Sequence, residues 1–131
     1  IALEEASKNL KKGKIHLIQT GWFANKFIEN AFKDEAKSIS PNVKFHFLDG
    51  KNQENKHISL SSGDIFMSLS DNFQETFGLT PLEGMASGLP VIVSDWNGYK
   101  DTIRNDIDGF RIPSLMPAEG FGNDLALEGI Q

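Results

Sequence analysis

Apolar and polar positions along the 131-residue chain alternate between two rhythms, one helical and one extended. Ala2, Ala6 and Leu10 recur at helical spacing, so Ile1 to Lys12 reads as a helix with Gly13 as its stop. Lys14 to Thr20 (KIHLIQT) alternates at period two and predicts a strand, broken by Gly21. Ala24 to Ser38 places Phe27, Ala31 and Phe32 on one face of an amphipathic helix that ends before Pro41. Val43 to Leu48 (VKFHFL) predicts a second strand, closed by the turn signal Asp49-Gly50. Asn52 to Leu60 reads as a short helix inside a polar stretch. Asp64 to Ser68, Val91 to Ser94 and Phe110 to Pro113 read as further strands, with short helices at Pro81 to Ser87 and Tyr99 to Arg104. From about residue 114 the tail is rich in glycine and acid, and the pattern places no element there.

Strands that alternate with helices predict an α/β fold: a Rossmann-like parallel sheet with helices on both faces. In such folds ligands sit at the carboxyl ends of the strands, which points to the loops after Thr20, Leu48, Ser68 and Ser94. The length suits a single domain, 1–131. No methionine begins the chain and no cap precedes its first helix, so it is expected to be a piece of a longer protein, truncated at both ends.

Composition narrows the function by exclusion. There is no cysteine, which removes disulfides, thiolate chemistry and cysteine–zinc sites and fits a reducing, cytoplasmic compartment. The net charge of -5 opposes a phosphate backbone, so nucleic acid is not an expected partner. No apolar run approaches the roughly 20 residues that span a bilayer, and no membrane contact is evident. His16, His46 and His57 lie at no metal-ligand spacing.

The chemistry concentrates between Asp71 and Asp95, in DNFQETFGLTPLEGMASGLPVIVSD. Thr80-Pro81-Leu82-Glu83 has the form of a capping box with proline at the first helical position, Glu83 reaching back to the Thr80 amide. Phe77-Gly78 before it lets the backbone approach a ligand closely, and a loop entering a helix N-terminus presents free amides to a phosphate. Gly88-Leu89-Pro90 reads as a left-handed C-cap, its apolar contact and a stop, and is explained by structure alone. On the local pattern Glu83 is a capping carboxylate before it is a ligand contact. Glu75 stands in a strand-to-helix loop, where function concentrates but where most glutamates are simply solvated.

Glu75-Thr76-Phe77-Gly78-Leu79-Thr80-Pro81-Leu82-Glu83 resembles the E-x7-E motif of the retaining GT-B glycosyltransferases, especially the large family 4. The segment from Glu83 to Asp95 is similar to that family's "EAMA-GLPVVASD" continuation. Asn97-Gly98, Asp108-Gly109-Phe110 and Phe47-Leu48-Asp49-Gly50 resemble its glycine turn, its "NG-L-V" strand and its "FLG" strand end. The resemblance implies the donor-binding half of an enzyme that moves a sugar from a nucleoside-diphospho-sugar to an acceptor, with no cofactor and no obligatory metal. It implies that Glu83 binds the ribose hydroxyls and that Glu75, the catalytic candidate, contacts the donor sugar. Phe77 belongs to the same donor site, and the amides around Gly78, Leu79 and Thr80 hold the diphosphate. Asp49 and Gly50, after a strand at the ligand edge, are the candidates for base contacts.

The family's usual arginine and lysine come from a strand that would lie before Ile1. Its acceptor site comes from a separate N-terminal domain, the partner this sequence is expected to lack. Gly84 stands where alanine is common. Two other readings share the architecture: a GT-B-fold epimerase or phosphorylase, and a non-catalytic nucleotide-binding or scaffolding domain. A dehydrogenase is disfavoured because no G-x-G-x-x-G follows a strand.

Overall fold

The computed structural model describes residues 1–70, 78–96 and 98–114. The chain divides into two compact units, Ile1–Gly63 and Asp64–Gln131.

The first unit runs α1 (Ala2–Asn9), β1 (His16–Gly21), α2 (Lys26–Ile39), β2 (Lys44–Asp49) and α3 (Gln53–Ser62). β1 and β2 pair in parallel, from His16 opposite Lys44 to Gly21 opposite Asp49. Local chemistry starts the helices. Asn25 Oδ1 accepts from the Ile28 amide at 2.9 Å and caps α2, and Asn52 Oδ1 accepts from the Glu54 amide at 2.9 Å and caps α3. Along α2, Glu29 pairs with Lys26 at 2.9 Å and with Lys33 at 2.5 Å. α1 is tied to the start of β2 by the buried Glu4, whose carboxylate accepts from the Asn42 amide at 3.0 Å and from Asn42 Nδ2 at 2.5 Å. α1 is shorter than its apolar spacing predicts. It closes at Leu10, whose backbone is already extended, and Gly13 takes its left-handed conformation (φ 87°) in the connection beyond.

α2 turns a different face inward from the one its apolar spacing suggests. Phe27 is 82 % exposed and Ala31 is exposed, while Glu29, Lys33 and Ala36 are the half-buried positions. At about 100° per residue, Phe27 and Ala31 lie about 200° from Glu29, on the opposite side of the helix. Phe32, on the flank, is the aromatic that meets the sheet: its ring lies 5.4 Å from Phe23 and 6.2 Å, edge-on, from Phe47. Lys33 closes over the same Phe47 ring, with Nζ 4.9 Å from its centroid.

The second unit runs β3 (Phe66–Ser68), α4 (Leu79–Ala86), β4 (Val91–Asp95), α5 (Tyr99–Thr102) and β5 (Gly109–Pro113). Its three strands are parallel in the order β3-β4-β5, with Phe66 opposite Val91 and Val91 opposite Gly109. The central strand β4 is the core. Val91 and Val93 are fully buried and cluster with Tyr99 and Ile103, with Phe66 and Met85 packed against them. Close approaches fix two glycines here. A Cβ on Gly84 would lie 2.7 Å from Phe66 Cγ, so the residue that weakens α4 is the one that lets it sit down on β3. A Cβ on Gly109 would lie 2.1 Å from the Val91 carbonyl oxygen. The end of α4 bears out its sequence. Gly88 is left-handed (φ 79°), the Gly88 amide donates to the Met85 carbonyl at 2.9 Å and the Leu89 amide to the Gly84 carbonyl at 3.1 Å, a Schellman ending.

All pairings among the described residues are parallel and alternate with helices, so the α/β, Rossmann-like class holds. They form two sheets, one in each unit.

Candidate functional site

The N-terminus of α4 is built differently from the expected capping box. The cap is Gly78, left-handed at φ 61°, and it brings no side chain to the helix amides. Thr80 is therefore the second helical residue, Pro81 the third and Glu83 the fifth. A capping box needs its glutamate three places after the cap, and Glu83 stands two places beyond that. The early start follows from glycine: only a residue free to turn left-handed enters the helix at this point, and Pro81 is tolerated because first-turn amides have no intrahelical acceptor. Leu79 and Thr80 are exposed, Pro81 is buried and Glu83 is half-buried on the body of the helix. The first-turn amides and the dipole end together favour an anion.

Gly78 is held from behind. A Cβ there would lie 1.9 Å from Tyr99 Cε1, so the Tyr99 ring occupies the space that any side chain would need. Glu75 and Phe77, expected beside it, lie outside the described residues, as does Asn97. Between the end of β4 and the middle of β5, Arg111 Nε stands 3.5 Å from Asp95 Oδ1, and Arg111 Nη1 donates to the Lys100 carbonyl at 3.1 Å. This cation is thus already engaged with the protein. Arg104 and Asp108 make a two-pronged pair, Nε to Oδ2 and Nη2 to Oδ1 both at 2.7 Å. That hydrogen bonding, helped by the Arg104 amide, holds the Asp108 carboxyl down at about 2.

In the first unit the predicted Asp49 and Gly50 close β2 as a turn. Asp49 Oδ1 accepts from the Lys51 amide at 3.0 Å, and its carbonyl takes the Asn52 amide at 3.2 Å and Asn55 Nδ2 at 3.1 Å. The Gly50 amide donates to the Gly21 carbonyl at 2.9 Å, and a Cβ on Gly50 would lie 2.8 Å from Gly21 Cα. Beside this turn, at the carboxyl ends of β1 and β2, opens a concavity of about 400 Å³ whose lining includes Trp22, Phe23, Phe47, Lys33, Asp49 and Lys51. Trp22 is 70 % exposed. Sequence reasoning pointed to the loop after Thr20 as well as the Asp49 loop but did not single out Trp22-Phe23 within it. It also missed that parallel pairing brings His16 Nδ1 to 3.0 Å from His46 Nε2, with rings nearly parallel at 9°. Among the described residues no group of three or more His, Cys, Asp or Glu could hold a metal ion. No helix among them is long and apolar enough to cross a membrane.

The family model of the glycosyl transferases group 1 matches residues 2–122, nearly the whole chain. The chain belongs to the group 1 glycosyltransferases. Local likeness to two glycosyltransferases agrees. A sucrose synthase of Melioribacter roseus is 50 % identical over 45 residues, 34 % of this chain and 6 % of that protein. The sulfoquinovosyl transferase SQD2 of Arabidopsis thaliana is 45 % identical over 49 residues, 37 % of this chain and 9 % of that protein. The matched stretches therefore span less than a tenth of these relatives, and this group 1 domain shares a transferase kind with them.

Proposed function

We propose that this group 1 glycosyltransferase domain binds the nucleoside-diphospho-sugar donor of a retaining glycosyl transfer. The observation that supports it best is the left-handed Gly78 cap. It starts α4 between the two glutamates of the E-x7-E register and puts Glu83 outside the capping-box position. The Gly78, Leu79 and Thr80 amides then receive the diphosphate, whose charge grows as it leaves. Glu83 takes the ribose hydroxyls, since a carboxylate accepts two neighbouring hydroxyls well. Glu75 orients the sugar and Phe77 completes the donor site. Asp49 and Gly50 remain the candidates for base contacts, and the aromatic concavity beside them is suited to a planar ring. In the reaction the bond between the sugar's anomeric carbon and the diphosphate breaks, one from that carbon to the acceptor's hydroxyl oxygen forms, and the hydroxyl proton passes to the departing diphosphate. The acceptor is held by another part of the enzyme, in agreement with the small share of the relatives that the chain covers.

Affinity is expected to be weak for this chain. A diphosphate meets a chain of net charge -5, and a helix N-terminus returns about 0.3–1 kcal/mol. Each charge-assisted contact from a partner Arg or Lys adds about 1.5–3 kcal/mol, and the two that the resemblance implies are not supplied by this sequence. Calorimetric titration with UDP, GDP and ADP should give dissociation constants well above micromolar. Glu83→Gln should weaken the best of them by about tenfold, the loss of one charge-assisted hydrogen bond. Equal affinity of the wild type and Glu83→Gln for all three nucleotides removes the ribose role.

A further inference from the structure

A polar network among the described residues of the second unit lies behind the α4 N-terminus and has no part in the donor contacts. Tyr99 is 2 % exposed, yet its hydroxyl is not idle. It lies 3.2 Å from Ser68 Oγ and 3.1 Å from Ser70 Oγ. Ser70 is held a second time, its carbonyl accepting from the buried Ser94 hydroxyl. The ring of the same tyrosine fills the space beside Gly78. Ser70 and Gly78 are the two residues that bracket positions 71–77, which include Glu75. One side chain therefore grips both ends of that segment, one end through its hydroxyl and the other through its ring.

We propose that Tyr99 is a positioning residue for donor binding: it fixes the span between the ends of the Glu75 segment, and so the aim of the α4 amides, without touching the donor. The chemistry suits the task. A tyrosine anchored at both its edge and its tip has few rotamers left, because a buried ring is packed and a buried hydroxyl must keep its partners. Leucine at this position would pack the core but could not hold Ser70. Ser70 would then keep only its carbonyl's hydrogen bond from Ser94, and its tie to the side chain that fills the space beside Gly78 would be gone. The proposal rests on the donor-binding reading above.

The test compares Tyr99→Phe, which keeps the ring and loses the hydroxyl, with the wild type. Each is titrated with a nucleoside diphosphate and with the matching nucleoside, using UDP with uridine and GDP with guanosine. Ser70→Ala and the double variant complete a cycle. Loss of one hydrogen-bonded anchor should lower diphosphate affinity about five- to tenfold, with nucleoside affinity unchanged. The double variant should lose no more than the larger single loss. Hydrogen exchange of the amides at Gly78 to Thr80 should rise in Tyr99→Phe while β4 stays protected. Equal loss for nucleoside and diphosphate, or no change in their ratio, overturns the positioning role. Failure of the wild type to bind any of the diphosphates is a different result: it defeats the donor-binding reading itself.

Discussion

The two units treat their sheets in opposite ways. In the second unit β4 lies between two parallel neighbours with Val91 and Val93 sealed, and glycines at 78, 84 and 109 are each required by an atom that stands where a Cβ would go. In the first unit Val43 is the one buried apolar residue among those described, and large aromatics remain open: Trp22, Phe27 and Phe32. The first unit gains order from helix caps and from one buried carboxylate, Glu4. The second gains it from steric necessity. The difference teaches where precision is needed. The start of α4 is backed by a closely packed core, whereas the aromatic concavity rests on a unit with few buried apolar residues.

Substitutions can break this contrast or sharpen it. The largest effect is expected at Gly109→Ala. The added carbon meets a backbone carbonyl of the central strand, which cannot rotate away, and urea unfolding should show a loss of about 3–5 kcal/mol. Ile103→Ala should cost about 2–5 kcal/mol as a fully buried residue is emptied, while Phe27→Ala in the first unit should stay within about 0.5 kcal/mol. Comparable losses at these two sites erase the contrast. Glu4→Ala tests what holds the first unit, since it strands the Asn42 amide. A loss of about 1–3 kcal/mol is expected from the same unfolding curves. The smallest effect is one of pH. The Asp108 carboxyl sits at about 2, below its ordinary 3.8, because Arg104 hydrogen-bonds its charged form. A lowered carboxyl contributes stability that is complete above its unfolded value and is lost as pH falls toward the folded one. Between about pH 4 and pH 2 the wild type should therefore lose more stability than Asp108→Asn, as seen in melting temperatures taken across that range.

The sequence pattern located the strands closely because period two and β-branched runs are local properties. Val91 to Ser94 needs no partner to read as a buried strand. It misjudged features in which a distant atom decides. Thr80 looks like a cap until the Gly78 turn begins α4 two residues sooner, and that turn is shaped against Tyr99, 21 residues away. Phe27 looks like core because apolar spacing carries no information on which side the sheet lies. The His16–His46 approach exists only through strand register, and Trp22-Phe23 gains meaning only once a concavity forms beside it. For Glu83 the local pattern suggests a capping box, and the observed helix start puts that residue two places beyond the capping-box position.

Gly21 and Gly50 are close neighbours, yet their demands differ. A Cβ on Gly50 would run into Gly21, while a Cβ on Gly21 would have no atom within 4 Å and would stand at the edge of the aromatic concavity. The chain contains no cysteine. A single cysteine at position 21 would thus be a unique chemical handle, accessible and structurally quiet. An environment-sensitive dye attached there would report by its colour or intensity whatever enters the concavity beside Trp22.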